Sequence, residues 1–186
     1  RGVMMADMLR AVSLEEDFKK AVQVVLIEAS SALEAVQGQT LGHLGFPVQW
    51  VQNLEAAPAG SSLVIGNEFL DCLPIRQFIQ RDPFAGKDGW HERHVGLDEE
   101  GRLRFEIGPE PIGATAKSFI PDAQSDARKD ELLETCPSVH QIIETLKSRL
   151  KSHPGRALFI DYGPEVTEFG DTLQALKRHK KIGVFE

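Results

Sequence analysis

Short apolar runs alternate with amphipathic segments along most of the chain. Runs of four to six apolar residues bounded by polar ones are typical of buried parallel strands, and apolar residues at helical spacing indicate helices. Strands are predicted at 24–27, 48–53, 61–68 and 156–163. Helices are predicted at 3–12, after a Ser30 or Ser31 cap, at 138–153 and at 170–180.

The pattern changes between residues 75 and 109, where polar and apolar positions alternate and Gly and Pro clusters intervene. Period-two alternation with such punctuation predicts an antiparallel meander. Segment 110–131 is predicted to be a loop. Trp90 and Phe105 in this region fit either the meander's own core or a wall that recognises a partner.

The order of the elements predicts an α/β protein with a doubly wound sheet and an antiparallel insertion. Ligands of such sheets bind beyond the carboxyl ends of the strands. Three polar clusters fall at that edge: Glu28, then Asn67 with Glu68, then Asp161 with Tyr162. We expect these clusters to converge on one crevice.

The stretch GNEFLDCLP at 66–74 places several chemically active groups directly after a buried strand. An Asn alone is commonly a helix cap. Glu68, Asp71 and Pro74 together indicate more, because a carboxylate can hold a guanidinium in a bidentate grip.

An acidic residue at the end of the second strand of a nucleotide-binding half accepts hydrogen bonds from ribose hydroxyls. Glu28 occupies that position, although a strand end that merely meets water would look the same. Arg1 and Gly2 open the first helix in the manner of the end of a glycine-rich turn.

The composition limits the classes of partner that the chain is expected to bind. The net charge is −7, from 28 acidic and 21 basic residues, which argues against general binding to nucleic acids. No apolar run approaches the roughly 18 residues of a membrane span. The two cysteines have no CxxC spacing, which indicates a reducing compartment and no structural zinc.

The histidines suggest no metal site. His91 and His94 lie three apart on a predicted strand and therefore point to opposite faces, so one ion cannot easily take both. His179, in the basic stretch KRHKK, is predicted to lie at the surface or to reach the crevice.

Six longer motifs occur in order along the chain: RGVMMADMLRA, GNEFLDCLPIRQF, GWHERHVGL, ETCPSVHQIIETL, RALFIDYGP and GDTLQALKRHK. In this order they resemble the MidA-like family, whose mitochondrial members are protein arginine methyltransferases that act in assembly of respiratory complex I. The resemblance implies a class I, Rossmann-like methyltransferase fold, S-adenosylmethionine as cofactor and an arginine-containing protein as substrate.

The family's glycine-rich turn reads G-P-G-R-G, and Arg1 and Gly2 match its last two positions. The resemblance therefore implies that the chain is truncated at both ends and lacks the first, central strand. It divides the chain into a cofactor-binding half at 1–74, a β insertion forming a substrate wall at 75–110, and the rest of the α/β domain at 111–186.

By the same resemblance, Arg1, Gly2, Glu28 and Asn67 would contact the cofactor, and Glu68 or Asp71 would orient the guanidinium. The expected substrate-side residues are Pro74, Asp161, Tyr162 and His179. A bacterial cytoplasm is expected, with a mitochondrial matrix as the alternative.

Two other functions compete. A non-catalytic assembly chaperone could retain the methyltransferase fold. A nicotinamide-dependent oxidoreductase would explain Glu28 but would give GNEFLDCLP no role.

Overall fold

The computed structural model describes residues 1–122, 127–163, 165 and 168–186. The chain packs as two compact units. The first unit comprises Arg1–Leu63 with Glu144–Arg156, and the second comprises Val64–Ile143 with Ala157–Glu186. The functional divisions expected at residues 74 and 110 stay predictions.

The first unit is built around one parallel strand pair and its helices. Its elements are α1 (Val3–Ala11), α2 (Glu16–Ala21), β1 (Val24–Ile27), α3 (Ser31–Leu41) and β2 (Val48–Val51). Strands β1 and β2 are parallel, with Val24 opposite Val48. Ala6 and Leu9 of α1 and Leu41 of α3 pack with Val24 in a buried core, which fixes the two helices on the strand pair.

The second unit is dominated by the antiparallel meander. The elements from residue 76 to residue 135 are β4 (Arg76–Gln80), a 3₁₀ segment (Pro83–Gly89), β5 (Trp90–Leu97), β6 (Leu103–Pro111), α4 (Ala114–Lys117) and β7 (Leu132–Thr135). The strand order is β6-β5-β4-β7, and all three pairings are antiparallel. The meander predicted from the alternation is confirmed, with β7 added at its edge.

The structure shows whether the aromatic residues Trp90 and Phe105 belong to the core of the meander. Trp90, Phe78 and Leu133 are fully buried in one cluster, so Trp90 belongs to the core. Phe105 is half-buried, and its ring contacts both the Arg93 guanidinium and the Phe185 ring.

The remaining elements are β3 (Ser62–Asn67), α5 (Pro137–Ser152), β8 (Gly155–Ile160), β9 (Ala175–Lys177) and β10 (Lys180–Ile182). Strands β3 and β8 pair with each other. The Ser62 N–H donates to the Pro154 carbonyl and the Glu68 N–H donates to the Ile160 carbonyl, so the two strands run in the same direction.

Gly66 allows the close approach of a neighbouring strand. A Cβ at this position would lie 2.7 Å from the Phe159 ring of β8, nearer than side-chain atoms pack. The structure thus has two parallel strand pairs among its described residues, β1–β2 and β3–β8. The strand that the resemblance places between these pairs stays a prediction.

The helix predicted at 170–180 is wrong. The chain there forms the antiparallel hairpin β9–β10, with Lys177 opposite Lys180. The two turn residues, Arg178 and His179, both have left-handed backbone angles, with φ of 53° and 61°. This is the geometry of a two-residue type I′ turn, and it was hidden because Asn or Gly usually signals that turn.

The loop predicted at 110–131 is partly wrong. Strand β6 continues to Pro111, and the short helix α4 follows it. Residues 123–126 of this segment lie outside the described residues. Helix α2 was not predicted, since its six residues include none that is buried and thus carry no apolar stripe.

A bidentate ion pair links β4 to β5, and it makes the stability of the fold depend on pH. Arg76 donates from Nε and Nη2 to the two Glu92 carboxylate oxygens, each over 2.6 Å. The hydrogen bond from Arg76 holds the pKa of Glu92 below its ordinary value, against the opposing effect of desolvation. Such a group stabilises the fold above its unfolded pKa, near 4.5, and this contribution is lost as the pH falls through the lowered folded pKa.

Glu92→Gln is expected to reduce the free energy of unfolding by about 1 kcal/mol at pH 7. The difference from the parent should vanish as the pH falls below 4.5 in urea titrations. Glu106→Gln is the matched control, because Glu106 pairs with Arg104 on its own strand and is more exposed. A Glu92→Gln deficit that persists at low pH would contradict this account of the pair.

Candidate functional site

Glu28 follows β1 in the first unit, at the carboxyl end of the strand. Its backbone N–H donates to the Val51 carbonyl, which extends the β1–β2 pairing by one residue. Its carboxylate Oε1 accepts from the Ser30 N–H at 2.9 Å, and Oε2 accepts from Gln37 Nε2 at 2.9 Å. Each oxygen retains acceptor capacity, and the half-buried side chain is open to a ligand hydroxyl.

Gln37 of α3 was missed from the sequence. It is 8% exposed, and besides donating to Glu28 it accepts from Trp50 Nε1 at 2.9 Å. A signal for it exists, because Gln37 lies one turn before the buried Leu41 on the same face of α3. A polar residue on an apolar stripe must find hydrogen-bond partners.

Gly2 caps the N-terminus of the nine-residue helix α1 with a left-handed φ of 83°. Its carbonyl accepts from the Ala6 N–H, and no side chain among the described residues caps this helix. The first-turn N–H groups and the positive end of the helix are therefore free to meet an anionic or polar ligand group. Arg1 beside it is exposed.

The second group of candidate residues lies where β3 ends. Asn67 closes the strand and is exposed. Glu68 has a φ of 46°, a left-handed conformation that is uncommon for a residue with a side chain. The backbone thus turns sharply at Glu68 and sends the next residues back toward the end of β8.

Asp161 holds that turn in place. Its Oδ2 accepts from the Phe69 N–H at 3.1 Å and from the Leu70 N–H at 2.8 Å, and its Oδ1 accepts from the Tyr162 N–H at 3.0 Å. Desolvation would raise the pKa of Asp161, but backbone hydrogen bonds from this turn outweigh it and hold that pKa below its ordinary value. Asp161 is therefore charged at neutral pH and engaged with the backbone.

Tyr162 joins the same group through its hydroxyl, which donates to Asp71 Oδ2. This hydrogen bond, with the negative charges of Asp71, Glu68 and Asp161, raises the pKa of Tyr162. The phenol therefore stays protonated, and the negative charges of three carboxylates act on it. Such a concentration of negative charge suits a cation.

The structure thus brings Glu68 and Asp71 together with Asp161 and Tyr162, as expected for the ends of neighbouring strands. Glu28 belongs to the first unit, so its convergence with them stays a prediction.

The other predicted substrate-side residues have different surroundings. Pro74 is exposed, and its carbonyl lies 3.5 Å from Cys136 Sγ. His179 is exposed in the β9–β10 turn, with no side-chain hydrogen bond within the described residues.

In the described ranges of the chain, no group of three or more His, Cys, Asp or Glu side chains is placed to hold a metal ion. His91 places Nδ1 against the Gly108 carbonyl at 2.8 Å. None of the helices in these ranges combines the length and apolarity that a membrane crossing needs.

The chain belongs to the family described as putative S-adenosyl-L-methionine-dependent methyltransferases, whose sequence pattern matches residues 1–186. It is 32% identical to the protein arginine methyltransferase NDUFAF7, mitochondrial, of Xenopus tropicalis, covering 97% of this chain and 45% of that protein. It is 33% identical to the mouse protein of the same name, covering 97% and 44%. The chain spans about half the length of these curated relatives.

Two solved structures from Burkholderia thailandensis are similar. One, a likely methyltransferase bound to S-adenosyl-homocysteine, has a TM-score of 0.67 at 28% identity, over 87% of this chain and 39% of that one. The other, an uncharacterized protein of the same superfamily, has a TM-score of 0.74 at 26% identity, over 99% and 48%. The predicted class I methyltransferase fold is confirmed.

The role of Asp161 in the β3 turn is testable by hydrogen exchange. Asp161→Asn removes the charge and one strong acceptor, so the Phe69 and Leu70 amides should exchange faster while the amides of β4 and β5 do not change. Asp98→Asn is the matched control, since Asp98 accepts in the same manner from the Glu100 and Arg102 N–H groups of another turn. Unchanged exchange at Phe69 and Leu70 would refute this role.

Proposed function

We propose that this chain is part of an S-adenosylmethionine-dependent methyltransferase that methylates arginine side chains of proteins. The observation that carries the proposal is the Glu28 carboxylate, fixed by two hydrogen bonds at the carboxyl end of β1 with acceptor capacity remaining. Membership of a family of putative methyltransferases supports it, and so does the S-adenosyl-homocysteine bound to a similar structure.

The residues of the first unit fit the cofactor's polar groups. Glu28 would accept from the ribose hydroxyls, as an acidic residue at this position does in Rossmann-like sheets. Gly2 and the uncapped N–H groups of α1 offer donors to polar parts of the cofactor. When bound, the cofactor supplies a methyl group activated by its positively charged sulfur.

The second unit offers the acidic surroundings that a guanidinium needs. Asp71 accepts from the Tyr162 hydroxyl, and the charges of Asp71, Glu68 and Asp161 raise the pKa of Tyr162. The curated relatives are named as protein arginine methyltransferases. We therefore assign Glu68 and Asp71 to orienting the arginine, with Asn67 on the cofactor side and Pro74, Asp161, Tyr162 and His179 on the substrate side.

A carboxylate would assist the chemistry in two ways. Arginine is protonated in water, with a pKa above about 12. A carboxylate beside the guanidinium draws the charge toward the nitrogens it binds and leaves the third nitrogen more electron-rich. That nitrogen would be the one to take the methyl group from the bound cofactor, and it would then release a proton to water. Carboxylate charge stabilises the cation until that proton departs.

The biological setting rests on the relatives. The animal relatives are named as mitochondrial proteins, and the two similar structures come from a bacterium. A bacterial cytoplasm and a mitochondrial matrix are therefore the two proposed settings. An assembly chaperone without transferase activity is the alternative that the next experiment separates.

Cofactor binding is testable by calorimetry on the full-length protein. The parent should bind S-adenosylmethionine, and Glu28→Ala should weaken binding at least about tenfold, because the ribose hydroxyls lose a charged acceptor. Glu34→Ala is the matched control, since Glu34 is exposed on the adjacent helix α3. A folded parent that fails to bind would favour the chaperone.

Glu68 allows catalysis and stability to be separated. Glu68→Gly should lower methyl transfer about 100-fold. It should also raise the free energy of unfolding by about 0.5–1 kcal/mol, because glycine relieves the left-handed backbone. Glu68→Gln should lose transfer without that gain. Transfer is read as labelled methylarginine after hydrolysis of a lysate from cells that lack the protein. Label in another amino acid, or full activity of Glu68→Gln, would contradict the assignment.

A further inference from the structure

A continuous chain of hydrogen bonds leads from Trp50 through Gln37 to Glu28. Trp50 Nε1 donates to Gln37 Oε1 at 2.9 Å, and Gln37 Nε2 donates to Glu28 Oε2 at 2.9 Å. The three residues come from β2, from α3 and from the end of β1. Three separate elements thus determine where one carboxylate points.

The chemistry of the partners fixes the orientation of the Gln37 amide. An indole N–H can only donate and a carboxylate can only accept, so the amide oxygen must face Trp50 and the amide nitrogen must face Glu28. A glutamate at position 37 would repel Glu28, and a lysine would leave Trp50 unpaired. Because Gln37 is 8% exposed, water cannot readily replace it.

The contacts of Glu28 restrict both carboxylate oxygens. The Ser30 N–H holds Oε1 and Gln37 holds Oε2, which fixes the plane of the carboxylate before any ligand arrives. Ordering a group in advance removes part of the entropy cost of binding. Outer residues that orient a binding group in this manner commonly change affinity 10–100-fold at metal sites.

Gln37 also lies against the glycine turn at the start of α1. A Cβ built on Gly2 would lie 3.5–3.6 Å from the Cα, Cβ and Cγ of Gln37. One buried residue therefore lies next to the turn and holds the carboxylate, the two features of this unit that the proposed function assigns to the cofactor.

We propose that Gln37 is a positioning residue for the cofactor's ribose, acting by orienting the Glu28 carboxylate, with Trp50 holding the amide in register. The inference rests on the proposed function, since it presupposes that Glu28 accepts from ribose hydroxyls. It adds a residue that acts through the Glu28 carboxylate.

The test compares two ligands by calorimetry: S-adenosyl-homocysteine and its 2′,3′-dideoxy analogue, which lacks the ribose hydroxyls. Gln37→Met has nearly the same volume but cannot hold Glu28. It should bind S-adenosyl-homocysteine about tenfold more weakly than the parent. It should bind the dideoxy analogue as the parent does. Gln39→Met is the matched control, because Gln39 is exposed on the same helix.

Trp50→Phe provides a second variant in case Gln37→Met folds poorly. It should show a smaller loss with the same dependence on the hydroxyls. Equal weakening toward both ligands would mean that Gln37 supports only the fold, and unchanged affinities would mean that it does nothing for binding. Either result overturns the inference.

The parent's own affinities separate failure of this inference from failure of the proposed function. If the parent binds S-adenosyl-homocysteine and the analogue equally, cofactor binding stands but the ribose assignment, and with it the role of Gln37, is overturned. If the parent binds neither, the proposed function fails and takes this inference with it.

Discussion

The candidate substrate side depends on the Asp161 carboxylate and the backbone N–H groups it accepts. Where a parallel strand ends, the N–H groups that follow it lose their partners in the sheet and need other acceptors. Asp161 serves Phe69, Leu70 and Tyr162 at once, so it joins the turn after β3 to the end of β8. Together with the bond from the Glu68 N–H to the Ile160 carbonyl and the bond from the Tyr162 hydroxyl to Asp71, this acceptor holds Glu68 and Asp71 in place.

Glu28 repeats this arrangement in the first unit, where its Oε1 serves the Ser30 N–H. An acidic residue at a strand end thus has a local structural use before any ligand is considered. What distinguishes Glu28 is its second partner, the buried Gln37, which orders the other oxygen from a distant helix position. The positioning role proposed for Gln37 depends on this contact.

Sequence patterns correctly predicted the elements that carry one continuous apolar run or one apolar stripe. Val24–Ile27 lies in a parallel pair as its apolar run indicated, and helix α5 follows its predicted stripe to within one residue at each end. The β9–β10 hairpin was mistaken for a helix because its strands have three residues each and its turn lacks Asn or Gly. Pairing rather than local propensity decided the structure there.

The candidate site shows the same division between local and long-range information. Position along the chain selected Glu28, Glu68, Asp71, Asp161 and Tyr162 as candidates, because ligands of parallel sheets bind beyond the carboxyl ends of the strands. The roles of these residues stay predictions. The bond between Tyr162 and Asp71 spans 91 positions, and the one between Trp50 and Gln37 spans 13. No local spacing encodes such contacts, so the partners of each acid had to come from the structure.

The two acids assigned to arginine are not equivalent. Asp71 already accepts from the Tyr162 hydroxyl, whose raised pKa keeps it a donor. Glu68 has no side-chain hydrogen bond within the described residues, and it stands in a left-handed backbone that costs about 1–2 kcal/mol. A fold that holds such a residue against its preference presents the side chain in a direction that a relaxed turn would not. We therefore favour Glu68 as the acid that meets the guanidinium, with Asp71 and Tyr162 as its support.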